Sequence, residues 1–167
     1  MINLYDRDYY EWFQETSKQL KEKRFEMVDW ENLIEELEDM GRSEKRGVES
    51  LLLRLLEHLF KLKYWESERE RSANHWIGEI ANFRVLLKKR LKDSPSLKAK
   101  LEEIYDDVYP DSKKVVANLF DLPQDAEITL TQAMDEEWFP NGVQSSKFKV
   151  QKIWNKLGRK DFSKYQD

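Results

Sequence analysis

The sequence contains no cysteine, and this absence excludes several kinds of chemistry. Disulfide bonds, zinc–thiolate sites, iron–sulfur clusters and cysteine nucleophiles are all ruled out. A chain without cysteine suits the reducing cytosol, so we expect a cytoplasmic protein. The N-terminus also lacks a basic segment followed by an apolar run, so we expect no signal peptide.

Long apolar runs and glycine-rich motifs are missing as well. The most apolar stretch, residues 51–62, is interrupted by Arg54, Glu57 and Lys61. A membrane-spanning helix needs about 20 mostly apolar residues, so the sequence predicts no membrane span. Glycine is scarce, and neither a glycine-rich phosphate loop nor a nucleophile elbow occurs. Whether the protein is an enzyme therefore stays open, and the sequence assigns no catalytic residue and no cofactor.

Charge of both signs, in contrast, is abundant. Asp and Glu total 33 and Lys and Arg total 29, which gives a net charge of −4 on 167 residues. Aromatic residues reach 13%, so a disordered chain is not expected. High charge with little glycine and proline is typical of helices with ion-paired outer faces. The length fits one domain that buries its own core.

Apolar residues recur at helical spacings of three, four and seven almost throughout the sequence. We predict an all-α fold, an antiparallel helical bundle of about five main helices with a short C-terminal helix and a basic tail. The predicted helices cover residues 7–23, 29–40, 44–64, 73–91 and 94–119, with a short helix at 129–135. In the last long helix the apolar phase continues across Pro110, which predicts one kinked helix.

Gly41 determines how the second and third helices are divided. It follows residues 29–40 at a position where a left-handed residue often ends a helix, and Ser43 is suited to cap the next one. This short connection predicts an antiparallel hairpin. The second helix is predicted to turn an apolar stripe inward, made of Trp30, Leu33, Ile34, Leu37 and Met40.

The composition changes after Gly142. From Lys147 to Asp167, seven basic residues accompany two acidic ones, a net charge of +5. We predict a helical domain over residues 1–142 and a basic tail over residues 143–167. The tail is suited to contact the acidic body of the same chain, an acidic protein or nucleic acid. Because the rest of the chain carries a net charge of −9, nucleic acid is the least favoured of these partners.

Four stretches of the sequence, taken in order, resemble a known family. They are Tyr5-Asp6-x-Asp8-Tyr9-x-x-Trp12, Leu33-Ile34-Glu35-Glu36-Leu37-Glu38-Asp39-Met40-Gly41-Arg42-Ser43-Glu44-Lys45-Arg46, His58-Leu59-x-Lys61 and Ser94-Pro95-Ser96-Leu97. Their order and spacing resemble the bacterial family described as domain of unknown function 29, over roughly residues 4–140. The resemblance implies an all-helical fold and no established activity, so it assigns no catalytic residue.

Acidic residues of the second helix and one histidine raise an alternative. Glu35 and Glu38 share a helical stripe with Glu31, and His58 is predicted to point inward from the third helix. A metal-binding bundle or a metal-assisted hydrolase would use Glu35, Glu38 and His58. The simpler interpretation is a solvated acidic face with a Glu38–Arg42 pair, together with a hydrogen-bonded structural histidine.

Without a chemical motif, the sequence favours a non-catalytic protein-interaction module, with self-association as one form of it. Trp65 fits an interface, where tryptophan is enriched. Together with Tyr64 and the face of Glu36 and Asp39, it forms the predicted contact surface. The partners expected are another protein or a second copy, and no membrane. Nucleic-acid binding through the basic tail is a second alternative.

Overall fold

The computed structural model describes residues 3–140. Over that range the chain forms α-helices and one short 3-10 turn but no strand, which confirms the all-α prediction. The helices are α1 (Leu4–Arg7), α2 (Tyr9–Lys21), α3 (Trp30–Tyr64), α4 (Glu66–Asp93), α5 (Pro95–Ala99), α6 (Leu101–Ala117) and α7 (Leu130–Met134). The chain separates into two compact units, Met1–Arg46 and Gly47–Asp167.

The longest helix, α3, continues through Gly41, so the predicted hairpin at this position is wrong. A glycine inside a helix costs about 1 kcal/mol relative to alanine, and a long helix tolerates that cost. Arg42 forms ion pairs with Glu38, at 3.3 Å, and with Asp39. These pairs bridge the turn that contains Gly41 and favour the helical conformation there.

Gly41→Ala is expected to raise the free energy of unfolding by about 0.5–1 kcal/mol. A Cβ atom at this position meets nothing within 4 Å, so helix propensity alone changes. Urea denaturation measures the difference. Gly47→Ala is the control with a smaller expected gain, because its Cβ would lie 2.7 Å from Arg90 Nη1 and the arginine would have to move. A destabilised Gly41→Ala variant would instead indicate a left-handed glycine that ends a helix.

The second and third long helices of the structure are joined by a tight turn. α4 begins at Glu66, well before its predicted start, and only Trp65 separates it from α3. Arg69 explains this geometry, because its Nε donates to Leu62 O at 2.9 Å and its Nη2 to Lys63 O at 2.7 Å. Carbonyls in the last turn of a helix lack partners within the helix, and Arg69 supplies these partners at the end of α3. Residues 66–72, which lie between two of the predicted helices, therefore belong to α4.

The predicted boundary at Ser94 and Pro95 is present, with Pro95 as the first residue of α5. The next break falls at Lys100, so residues 94–119 form two helices, α5 and α6, and not the single helix predicted. The predicted continuation of the helix across Pro110 is confirmed. Pro110 lies inside α6. Buried residues on both sides of it, Val108 and Val116, anchor the helix where the proline removes a hydrogen bond.

Residues 47–140 share one apolar core, built by the second part of α3, by α4 and α6, and by the segment that follows α6. The fully buried side chains include Leu52, Leu55, Leu56, Leu59, Phe60, Leu62, Ile80, Leu87, Ile104 and Ile128. The irregular segment around Ile128 is held by side chains of the helices. Tyr105 Oη donates to Ile128 O at 2.6 Å, and Lys63 Nζ donates to Glu127 O at 2.8 Å. None of the helices within residues 3–140 combines the length and the apolar character that a membrane span requires.

Candidate interaction surface

In the first unit, α1 and α2 are tied to the start of α3 through Glu36. Tyr5 Oη donates to Glu36 Oε1 at 2.6 Å, and Tyr9 Oη donates to Glu36 Oε2 at 2.8 Å. The hydrogen bond to this carboxylate raises the pKa of the Tyr5 phenol to about 12. The side chain of Trp12 is only 3% exposed, and the centre of its ring lies 4.9 Å from the centre of the Tyr5 ring. Glu36 thus determines which side of α3 these two helices cover.

The neighbouring side of α3 is uncovered, although it carries the apolar residues predicted to face inward. Trp30, Ile34, Leu37 and Met40 are 48%, 52%, 59% and 60% exposed, and we call these four residues the exposed stripe. Leu33 alone of the predicted set is half-buried. The prediction of a buried stripe is therefore wrong. The helical period identifies an apolar face, but it does not say which element covers that face.

Acidic side chains border the exposed stripe. At about 100° per residue, Glu31, Glu35 and Glu38 lie along the side of the stripe that α1 and α2 leave open, and we call them the acidic flank. Glu38 pairs with Arg42, as predicted, whereas Glu31 and Glu35 form no ion pair with any residue of the described range. Residues 25–41 contain seven carboxylates and no basic residue. The surface is thus apolar along its centre and negative along one edge.

The second unit carries a groove of opposite charge, which the sequence analysis missed. The groove has a volume of about 630 Å³ and lies where α4, α5, α6 and α7 meet. Three lysines surround an apolar floor, and we call this site the basic groove: Lys88, Leu91, Lys92, Pro95, Lys98, Leu101 and Met134. A sequence signal existed, because residues 88–100 contain six basic residues and one acidic residue.

Within residues 3–140, two lysines of the basic groove have no ion-pair partner. Lys88 Nζ lies 2.7 Å from Glu136 Oε1 and is partly neutralised by it. Lys92 and Lys98 form no ion pair within residues 3–140, and both are exposed. The groove therefore has a net positive rim that is suited to an anionic group.

Neither of the two units groups the three residues of the metal alternative. Glu35 and Glu38 belong to the first unit and His58 to the second. In the part of the chain that the structure describes, no group of three His, Asp or Glu side chains is placed to hold a metal ion. His58 has a structural role, as its Nδ1 donates to Arg54 O at 2.8 Å and its ring lies 5.3 Å from the Phe83 ring. Burial lowers the pKa of His58 and favours the neutral ring.

The residues predicted to form the contact surface have partners inside their own units. Trp65 is half-buried and stacks 5.9 Å from Trp76. Tyr64 bonds to the backbone of the irregular segment that follows α6. Glu36 accepts the two tyrosine hydroxyls described above, and Asp39 pairs with an arginine of its own helix. The exposed stripe, unlike this set, presents a row of apolar side chains that are each between 48% and 60% exposed.

The basic tail predicted for residues 143–167 lies outside the described residues. The domain boundary at residue 142 and the partners proposed for the tail therefore stay predictions.

Nearly all of the described region matches one known family. The sequence pattern of the family described as "Domain of unknown function DUF29" matches residues 4–139. The chain belongs to the DUF29 family. The DUF29 match ends before the basic segment, as the resemblance implied. A search of curated proteins and a search of solved structures each found no match. Membership of DUF29 brings no assigned activity, so the function must be argued from the surfaces of this chain.

Proposed function

We propose that this protein is a non-catalytic protein-interaction module of the cytosol and that the exposed stripe is its contact surface. The observation that carries the proposal is the exposure of four large apolar side chains on consecutive turns of α3, each between 48% and 60% exposed. Single apolar residues on a surface are ordinary, but a contiguous row of them bordered by charge is typical of a binding site.

The stripe offers a driving force for association. Fully burying one large apolar side chain contributes about 1.5–3 kcal/mol relative to leaving it in water. Trp30, Ile34 and Leu37 follow the i, i+4, i+7 spacing by which helices anchor in grooves. The indole of Trp30 is already oriented, since its Nε1 donates to Phe25 O at 3.0 Å, and an ordered anchor loses less entropy on binding.

The two alternatives have weaker support. A metal-assisted hydrolase using Glu35, Glu38 and His58 lacks a grouped set of ligands in the described residues. Nucleic-acid binding depends on the tail, while the rest of the chain carries a net charge of −9 that repels phosphate.

A photoreactive benzoylphenylalanine in place of Leu37 tests the proposal in extract of the producing cells. We expect crosslinks to one or a few discrete protein species, which disappear when Ile34→Glu is added because a buried carboxylate opposes docking. The control carries the same photoreactive residue at Val85, which is 60% exposed on α4. Only diffuse or absent crosslinks at position 37, equal to those at position 85, would refute the interaction role of the stripe.

A further inference from the structure

The two units carry surfaces with complementary properties. The exposed stripe with its acidic flank is apolar and negative, and the basic groove is apolar and positive. We propose that the partner of the stripe is a second copy of this chain, and that the stripe of one molecule docks on the basic groove of another. This inference rests on the proposed function, because it names the partner of the same surface.

The charged residues of the two surfaces have the same spacing along their helices. Glu31 and Glu35 are one helical turn apart on α3, and Lys88 and Lys92 are one turn apart on α4. Four residues of α-helix span about 6 Å, so the backbone positions of the two glutamates are as far apart along α3 as those of the two lysines are along α4. Lys98 provides a further positive charge from α5. Close pairs of this kind set the register of an interface and suppress wrong partners.

The apolar parts also match. The stripe projects Trp30, Ile34 and Leu37 at the spacing of groove anchors, and the floor of the groove is formed by leucine, proline and methionine side chains. Met134 is among them, and its flexible thioether adapts its shape to an incoming side chain. A volume of about 630 Å³ is large enough for several such anchors.

Charge argues against another occupant of the basic groove. The C-terminal segment of the same chain carries a net charge of +5 from Lys147 to Asp167. Like charges across an interface are unfavourable, so this segment is repelled by the lysine rim. The exposed stripe, in contrast, belongs to a run of residues with seven carboxylates and no basic group.

Each molecule has one stripe and one groove, so the contact joins different surfaces of the two copies. Head-to-tail contacts form rings or open chains. We therefore expect the mass of the full-length protein to rise above that of a monomer with concentration. We also expect the association to weaken with added salt, because exposed charges are screened.

Reciprocal charge reversal tests the contact in the full-length protein. The first variant, Glu31→Lys with Glu35→Lys, changes the charge of the acidic flank from −3 to +1. The second, Lys92→Glu with Lys98→Glu, changes the charge of the three lysines of the groove from +3 to −1. By sedimentation equilibrium, each variant alone is expected to associate about tenfold more weakly than wild type or worse. An equimolar mixture of the two is expected to associate again, because each stripe then meets a groove of opposite charge.

The control is Glu66→Lys with Glu70→Lys, which makes the same charge change at the same spacing on exposed positions of α4. It is expected to associate as wild type does. A mixture that stays monomeric, or single variants that associate as strongly as wild type, would overturn the inference. If wild type is monomeric while position 37 still crosslinks a different protein, this inference fails and the proposed function stands. If both experiments are negative, both proposals fail.

Discussion

Leu59→Ala is expected to lower the free energy of unfolding by about 3–4 kcal/mol. Leu59 is completely buried on α3, in the core of the second unit. The truncation loses the transfer free energy of the removed carbons and leaves a cavity that the packed neighbours fill only in part. Urea denaturation followed by far-ultraviolet circular dichroism measures the loss.

Leu37→Ala is the matched control, since it removes the same atoms from the same helix. Leu37 is 59% exposed, and its truncation is expected to change the free energy of unfolding by less than about 0.5 kcal/mol. Both variants are measured at low protein concentration, so that association between copies does not contribute to the free energy of unfolding. Equal losses for the two variants would show that the stripe is buried in the monomer, which would remove the basis of the proposed function.

Arg84→Ala is expected to cost about 3 kcal/mol, through a different mechanism. Arg84 is 1% exposed, and it donates from Nε to Ala133 O at 2.8 Å and from Nη2 to Gln132 O at 3.0 Å. These carbonyls lie at the end of α7, where helical partners are lacking. The guanidinium also lies 5.0 Å from the centre of the Phe139 ring. Truncation therefore leaves buried acceptors unpaired and removes packing atoms.

Arg84→Met separates the effects of charge and volume. Burial lowers the pKa of Arg84 to about 10, while Asp135 and Glu136 act in the opposite direction. Methionine keeps much of the apolar stem and removes the buried charge, so we expect about half the cost of the alanine variant. In both variants the amide hydrogens of α7 are expected to exchange faster. An alanine variant within about 0.5 kcal/mol of wild type would contradict this role of Arg84.

Periodicity alone predicted the helical fold and much of the second unit's core. Leu55 and Leu62 on the third predicted helix, and Ile80 and Leu87 on the fourth, are seven residues apart, which predicts that each pair shares one face, and all four are fully buried. Arg84 could have been recognised too, because it lies four residues after Ile80 on the same buried face. A charged residue at such a position is easily assigned to the surface, since arginine is rarely buried without partners.

The candidate surface could be predicted only in part. The apolar character of Trp30, Ile34 and Leu37 follows from the sequence, but their exposure depends on where α1 and α2 pack. The position of α1 and α2 depends on the hydrogen bonds from Tyr5 and Tyr9 to Glu36. These residues are far apart in the sequence, and no local sequence pattern predicts such contacts. The basic groove is similar, since its lining comes from four helices and no single stretch of sequence contains it.

The irregular segment around Ile128 makes several of its backbone hydrogen bonds with side chains. Tyr64 Oη accepts from Glu127 N at 3.0 Å, and Tyr105 Oη donates to Ile128 O. Side chains, with two phenolic oxygen atoms among them, therefore satisfy backbone groups that a regular ladder of backbone hydrogen bonds satisfies in a strand or helix. Because such bonds act one at a time, replacing either tyrosine by phenylalanine would loosen this stretch locally while the helices stay folded.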